Sequence, residues 1–442
     1  TTLVKQLISE LLAEGVSPKR VLYVQLDDVQ LKDLSEKPLL SALKAFELHI
    51  LGESLDLTKE PVYLFLDEVQ KINDWAETVK TFHDSNKQLH FVCTGSASFT
   101  ISQQSSETLP GRQTMFTMFP LKFADAALAA AGSELNSESV RKWGYSLRQA
   151  LFEAWSKNEP NEFIEQASKI MIETQETPLI REFNRYLISG GYPEIVLASK
   201  TDSQKSQNIF KGYANDIILK DLMPWFKIRD FETAEHLLYL LAANSGHELG
   251  YAQFAERLRG SNYLTIKKYV GYFQQLNIIT LLNQHSHSTL GSPKNEKIYF
   301  NDVGFRNAML GVEKPEPQEL GVLAEIVLQD HLQRLAFKYN NSIRRQLFYY
   351  KTRHAEIDFV LHSTKLNKII PIECKYGLPP SKNQEELLNK EIVFEQEAET
   401  FNEMMLQLYL PYYKPEDVES FLELMEILEP DEQEKVITHI NY

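Results

Sequence analysis

A chain of 442 residues is too long for a single hydrophobic core, so two to four domains are expected. At 43% hydrophobic and 24% charged the composition is ordinary for a globular protein. No apolar run reaches the ~18–20 residues of a membrane span, and nothing at the N-terminus reads as a signal peptide. The two cysteines, Cys93 and Cys374, fall in separate predicted strands, which excludes a disulfide framework and predicts a cytoplasmic location with no membrane partner. The net charge of −15 is unevenly placed: Leu378–Tyr442 holds 16 Asp/Glu against 4 Lys, whereas Gly321–Gly377 holds 9 Lys/Arg against 5 Asp/Glu.

In chain order, Thr2–Glu14 sets Leu3, Val4, Leu7, Ile8, Leu11 and Leu12 at the spacing of an amphipathic helix closed by Gly15. Val21–Leu26 reads as a short buried strand, Leu39–Leu51 as a helix, and Val62–Leu66 as an apolar strand buried on both faces of a parallel sheet. Trp75–Asp84 is predicted helical, and Leu89–Thr94 is a further strand. This alternation predicts a doubly wound α/β sheet with its ligand at the strand C-terminal ends. Long helical patterns then run from Leu121 to about Leu240, punctuated by the turn Gly190-Gly191-Tyr192-Pro193. From Leu249 to Phe300 the order helix, turn, helix and two strand-like runs is that of a winged helix, with a loop at Gln284–Glu296. From Gly321 a helix leads to strands at Leu347–Tyr350, Glu356–Leu361 and Lys368–Cys374. The acidic tail reads as helical, with apolar spacing at Phe421, Leu422, Leu424, Met425, Ile427 and Leu428; it suits a partner's groove, a basic face or its own domain.

The strand Val62–Leu66 followed by Asp67-Glu68 is a Walker B pattern. Asp67, at the end of a rigid strand, would help hold Mg²⁺ against nucleotide phosphates, and Glu68 would orient or deprotonate the attacking water. The next strand ends Thr94-Gly95-Ser96, hydroxyls suited to sensing a γ-phosphate. Arg112, after Pro110-Gly111, suits either transition-state charge or a structural ion pair. No Gly-x-x-x-x-Gly-Lys-Ser/Thr loop occurs in the chain, yet it opens with Thr1-Thr2-Leu3-Val4 at the head of a helix. Such loops commonly end Gly-Lys-Thr-Thr-Leu. The expectation is therefore that the sequence starts just after the lysine, with Thr1 as the Mg²⁺-binding hydroxyl and Thr2 beside the nucleotide. The alternative is a degenerate fold without the loop.

Near the other end, Asp358 on one strand is followed by Glu373-Cys374-Lys375 on the next, with Glu325 on a preceding helix. Glu373 and Lys375 are two apart and so face the same way. Asp358 and Glu373, with Glu325, would hold Mg²⁺ or Mn²⁺, and Lys375 would orient water or neutralise developing charge. The basic residues Arg344, Arg345 and Arg353 would contact phosphates or simply be solvated. In the winged-helix candidate, Thr265, Lys267 and Lys268 start the second helix, where recognition helices contact DNA; packing against protein is the other reading.

Together these marks resemble a family of prokaryotic AAA-type P-loop ATPases with a winged-helix region and a C-terminal PD-(D/E)xK nuclease-like domain. The resemblance rests on Leu66-Asp67-Glu68-Val69-Gln70, Thr94-Gly95-Ser96, Leu109-Pro110-Gly111-Arg112, Phe119-Pro120-Leu121, Gly190-Gly191-Tyr192-Pro193-Glu194, Asp216–Asp221, Glu356-Ile357-Asp358-Phe359 and Glu373-Cys374-Lys375. It implies ATP, Mg²⁺ and a multidomain α/β chain. The expected parts are an ATPase core at 1–125 lacking its first strand and Walker A loop, a helical lid at 126–235 and a winged helix at 236–312. A restriction-endonuclease-like α/β domain at 313–377 and an acidic helical tail at 378–442 follow. The leading functional expectation is an ATP-gated machine acting on DNA or RNA, in copies of itself or with a protein partner on the tail. The alternative is an ATP-dependent regulatory switch whose nuclease-like domain is inert and binds partners.

Overall fold

The apolar run that ends at Asp67 is the central strand of a parallel sheet in the computed structural model of the protein. The structure describes residues 1–29, 31, 36–95, 108–109, 112–114, 116–157, 160–174, 178–198, 203–223, 230–258, 262–285, 296–340, 347–351, 356–363, 368–375 and 406–409. The chain divides into two units, Thr1–Met118 with Gln275–Asn277, and Phe119–Gln274 with Ile278–Tyr442.

The first unit holds α1 (Thr2–Ala13), β1 (Val21–Gln25), α2 (Pro38–Phe46), β2 (Val62–Asp67), α3 (Trp75–Ser85) and β3 (Leu89–Cys93). Pro38 opens α2, where its missing N–H is no loss. The helix runs on through a π-helical turn at Glu47–Leu51 and stops at Gly52, whose φ of 78° suits a residue without Cβ. The sheet order is β1-β2-β3, parallel throughout. Val62, Leu64, Phe65 and Leu66 are at most 1% exposed, and each such burial contributes about 1.5–3 kcal/mol. Leu64 and Leu66 pack in one core with Leu39, Leu43 and Phe46 of α2 and with Trp75, Val79 and Phe82 of α3. Gln25 pairs with Asp67 and Leu66 with Cys93, so the three strands end at one level.

The second unit begins with helices α4 (Phe123–Ala131), α5 (Ser137–Lys157), α6 (Pro160–Thr174), α7 (Leu179–Ser189), α8 (Pro193–Ala198), α9 (Ser203–Asp216) and α10 (Phe231–Ala243). The predicted helix pair follows as α11 (Tyr251–Arg257) and α12 (Tyr263–Gln275), then β4 (Ile279–Gln284), β5 (Glu296–Phe300), α13 (Val303–Leu310) and α14 (Leu320–Asn340). Strands β6 (Leu347–Lys351), β7 (Glu356–Ser363), β8 (Lys368–Lys375) and β9 (Leu406–Tyr409) complete it. The hairpin expected as the wing belongs to the same mixed sheet as the strands that carry the acids, in the order β5-β4-β6-β7-β8-β9. β4 runs parallel to β6, with Asn283 opposite Phe348. Leu323, Ala324, Val327 and Leu328 of α14 lie in one core with Tyr349, Phe359 and Ile372 of the sheet. Within the tail expected to be helical, Leu406–Tyr409 is instead a strand parallel to β8, and its Leu-Gln-Leu-Tyr alternation suits that role. The remainder of 376–442, and the loop residues 286–295, lie outside the described residues.

The Gly190-Gly191 turn has a steric reason. A Cβ on Gly191 would stand 1.9 Å from the Leu121 carbonyl oxygen, and Gly191 accepts a hydrogen bond from Leu121 N–H at 2.6 Å. The N–H of Gly191 donates to Asp302 Oδ2 at 2.7 Å, and the other oxygen of Asp302 caps α13 by accepting from Phe305 N–H at 2.8 Å. Burial pushes the Asp302 carboxyl up to about 6 against those two amides.

Candidate functional site

Parallel register decides what meets at Asp67. Tyr23 pairs with Phe65 and Gln25 with Asp67, so by alternation Tyr23 and Asp67 share a sheet face. Thr94 follows Cys93, the partner of Leu66, and falls beside Asp67 on the other flank. Asp67, 1% exposed, accepts three hydroxyls: Thr1 Oγ1 and Tyr23 Oη each donate to Oδ2 at 2.7 Å, and Thr94 Oγ1 donates to Oδ1. Burial alone would push this carboxyl up; the hydrogen bonds from Thr94, Thr1 and Tyr23 outweigh it and hold the group below its usual range. Burial and the Asp67 carboxylate push the Tyr23 phenol up to about 12. Thr2 lies exposed on the first turn of α1.

Glu68 sits at φ 59°, in the left-handed region that non-glycine residues seldom occupy. The backbone turns there, and Gln70 Nε2 donates to Glu68 Oε2 at 2.6 Å, which fixes the side chain. Burial, joined by the charges of Asp67 and Asp27, raises the Glu68 carboxyl above the ordinary range despite that bond. Leu26 N–H donates to the Asp67 carbonyl at 2.9 Å, setting Asp27 alongside. Asp27 Oδ1 is buried and has no hydrogen-bond partner among the described residues.

Arg112 donates from Nε to Asp84 Oδ1 at 2.8 Å, the structural ion pair of the two readings open to it. That hydrogen bond holds the Asp84 carboxyl below its usual range. Ser96, Pro110 and Gly111 lie outside the described residues.

The second set of acids is also brought together. Phe359 pairs with Ile372 in the antiparallel β7–β8 ladder, so Asp358 and Glu373 face each other across it. Asp358 N–H donates to Glu373 Oε2 at 3.4 Å, and Asp358 Oδ2 accepts from Cys374 N–H at 2.8 Å. Glu325 on α14 accepts from Tyr299 Oη and lies 3.9 Å from Lys297 Nζ. Lys297, 3% exposed, also pairs with Glu356 at 2.6 Å, and Lys351 bridges Glu356 and Glu248 at 3.0 and 2.7 Å. Burial, then the charges of Glu325 and Glu373, push the Asp358 carboxyl well up. Burial likewise raises Glu325 against the opposing charge of Lys297. Lys375 is on β8, its side chain outside the described residues, as are Arg344, Arg345 and Arg353. Among the described residues no group of three or more His, Cys, Asp and Glu side chains is arranged to hold a metal ion. Of the three acids expected to hold a cation, Asp358 gives one oxygen to a backbone amide and Glu325 accepts from Tyr299.

In the helix pair, Phe254, Leu258, Ile266, Tyr269, Val270 and Phe273 are buried, whereas Ala252 is exposed and Ala255 half-buried. Asn262 Oδ1 accepts from Thr265 N–H at 2.8 Å, while Lys267 and Lys268 are exposed and Lys268 Nζ lies 5.6 Å from the Tyr272 ring centre. Sequence reasoning missed Tyr23, Asp27, Lys297 and Tyr299. The parallel register would have found Tyr23, and the alternation of Lys297 and Tyr299 along β5 marks them as one face.

Residues 1–127 match the family described as an AAA domain. Residues 180–316 match a domain of unknown function (DUF8612), and residues 322–406 match another (DUF4143). No curated protein and no solved structure matches the chain. The N-terminal parallel sheet agrees with an AAA-type P-loop ATPase domain, for which ATP and Mg²⁺ are the expected ligands. The Asp67 end of the sheet fits them: a carboxylate kept anionic beside a threonine hydroxyl is an oxygen set that a hard divalent cation takes when phosphates and water supply the rest. Among the described residues no helix is long and apolar enough to cross a membrane.

Proposed function

We propose that the protein binds ATP with Mg²⁺ and hydrolyses it at Asp67 and Glu68. The observation that carries this is the convergence of Thr1, Tyr23 and Thr94 on one buried carboxylate at the C-terminal end of a central strand. Asp67 and the Thr1 hydroxyl would hold Mg²⁺, which in turn neutralises phosphate charge when bound. Thr94 would respond to the γ-phosphate through Asp67, with Thr2 and Ser96 near the nucleotide. Glu68, raised in basicity by burial and held by Gln70, is the group to take a proton from the attacking water. Arg112 is assigned to its ion pair with Asp84 rather than to the nucleotide. The test is Glu68→Gln in the full-length protein: ATP binding stays within about two-fold while hydrolysis falls by about 100-fold or more, the scale of a positioned general base. Equal hydrolysis by wild type and variant would end this reading.

For the second unit two readings stand. In one, Glu325, Asp358, Glu373 and Lys375 form a cation-dependent site cleaving DNA or RNA, with Thr265, Lys267, Lys268, Arg344, Arg345 and Arg353 contacting phosphates. In the other, the nuclease-like part is inert and ATP state controls partner binding. The placement of Lys297 among the acids favours the second, because a fixed ammonium already supplies part of the positive charge a metal would bring. Mn²⁺-dependent cleavage that disappears in Asp358→Asn would restore the first.

A further inference from the structure

β1 brings to the Asp67 carboxylate one polar side chain that no motif assigns, Tyr23. Both oxygens of that carboxylate are occupied, and Oδ2 takes two donors at the same distance of 2.7 Å, Thr1 Oγ1 and Tyr23 Oη. The two donors differ in what they have left over. A threonine hydroxyl that gives its proton to Asp67 retains lone pairs for a cation. The Tyr23 phenol gives its single proton to the same oxygen, and its aromatic ring fixes where that proton points. It also brings no charge. A lysine or arginine in its place would orient Asp67 equally well but would neutralise it and repel a divalent cation. Two further observations bear on this part of the site. Asp27 Oδ1 is buried without a hydrogen-bond partner among the described residues. The Tyr23–Phe65 pairing locks the tyrosine backbone into the central sheet, so its reach to Asp67 is set by the fold rather than by a loop.

We infer that Tyr23 is a positioning residue of the proposed hydrolysis site, holding Asp67 in the orientation that meets the cation carried by ATP while leaving its negative charge intact. This rests on the ATPase reading above. It acts on the metal-dependent part of nucleotide binding and not on the nucleotide itself.

The experiment measures the dissociation constant of a fluorescent ATP analogue for the full-length protein, once in excess Mg²⁺ and once in EDTA, for wild type and Tyr23→Phe. Wild type is expected to bind more tightly with Mg²⁺. Tyr23→Phe should lose about ten-fold of that enhancement, the equivalent of one hydrogen bond to a charged group, while its EDTA value stays within about two-fold. In an Asp67→Asn background the same substitution should change neither value, since the charged oxygen that would meet the cation is gone. Full enhancement in Tyr23→Phe, or an equal weakening with and without Mg²⁺, overturns the inference. Should Tyr23→Phe fail to fold by circular dichroism, Tyr23→Leu, which also removes the hydroxyl, takes its place; full enhancement there overturns the inference too. A wild type without any Mg²⁺-dependent binding brings down the ATPase reading instead, so the two failures are told apart.

Discussion

Asp67, buried, and Asp358, half-buried, are both carboxylates on sheet strands, yet their surroundings drive them in opposite directions. Around Asp67 the neighbours are hydroxyl donors, and the group is held below its usual range. Around Asp358 they are other acids, Glu325 and Glu373, and burial together with that repulsion pushes it well up. Donors prepare a carboxylate to stay anionic at neutral pH, as a cation ligand must. Neighbouring acids leave it short of positive charge, which here comes from Lys297 on β5. Burial alone therefore says little about the readiness of an acid; the nature of the partner decides it.

The comparison breaks most directly at Lys297. Lys297→Met removes the ammonium beside Glu325, while Glu356 keeps Lys351, so unfolding of the second unit should become easier by about 3–5 kcal/mol at pH 8. The loss should shrink toward pH 4 as the acids take up protons; chemical denaturation at the two pH values reads both. A loss independent of pH would mean that the lysine stem, not its charge, matters. Smaller and opposite in sign is Asp358→Asn. Because the folded carboxyl is raised above its unfolded value, its contribution is intact in acid and is lost as pH rises from about 4 through the folded value. The amide is free of that dependence, so the variant should gain roughly 1–3 kcal/mol over wild type by pH 8, the range for relieving a poorly compensated buried group, and nothing at pH 4. Equal pH profiles would show that the acids do not repel one another. The smallest effect belongs to Arg112→Ala. Its exposed pair with Asp84 predicts an unchanged melting temperature and ATP hydrolysis within about two-fold, whereas a collapse of hydrolysis with folding intact would move Arg112 to the nucleotide.

How much of this was legible in the sequence follows from the range of the contacts involved. Val62–Leu66 is apolar throughout and announces a buried parallel strand; the acids after it mark a site without any knowledge of its neighbours. Thr94 is likewise readable, being the first hydroxyl after the next strand. Tyr23 is not, because a tyrosine in a strand looks like core until the β1–β2 register sets it two positions from Asp67 on the same face. The second unit hides more. The order helix, turn, helix, hairpin is local and suggests a self-contained winged helix, but β4 pairs with β6, more than sixty residues on, with Asn283 opposite Phe348 and Gln284 opposite Tyr349. That non-local pairing joins the hairpin to the acid-bearing strands and carries Lys297 and Tyr299 to Glu325. No local pattern reports a contact of that separation.

At Glu68 selection for stability and the chemistry proposed for it would run against each other. A left-handed backbone at φ 59° is taken readily by glycine and tolerated by asparagine, and for other residues the conformation costs on the order of 1–2 kcal/mol. A population of sequences screened only for heat resistance would drift at position 68 toward glycine or asparagine, shedding the acid and gaining stability in one step. Descendants that keep glutamate there bear a standing handicap in folding, and its persistence under neutral drift would record that the carboxylate is being used.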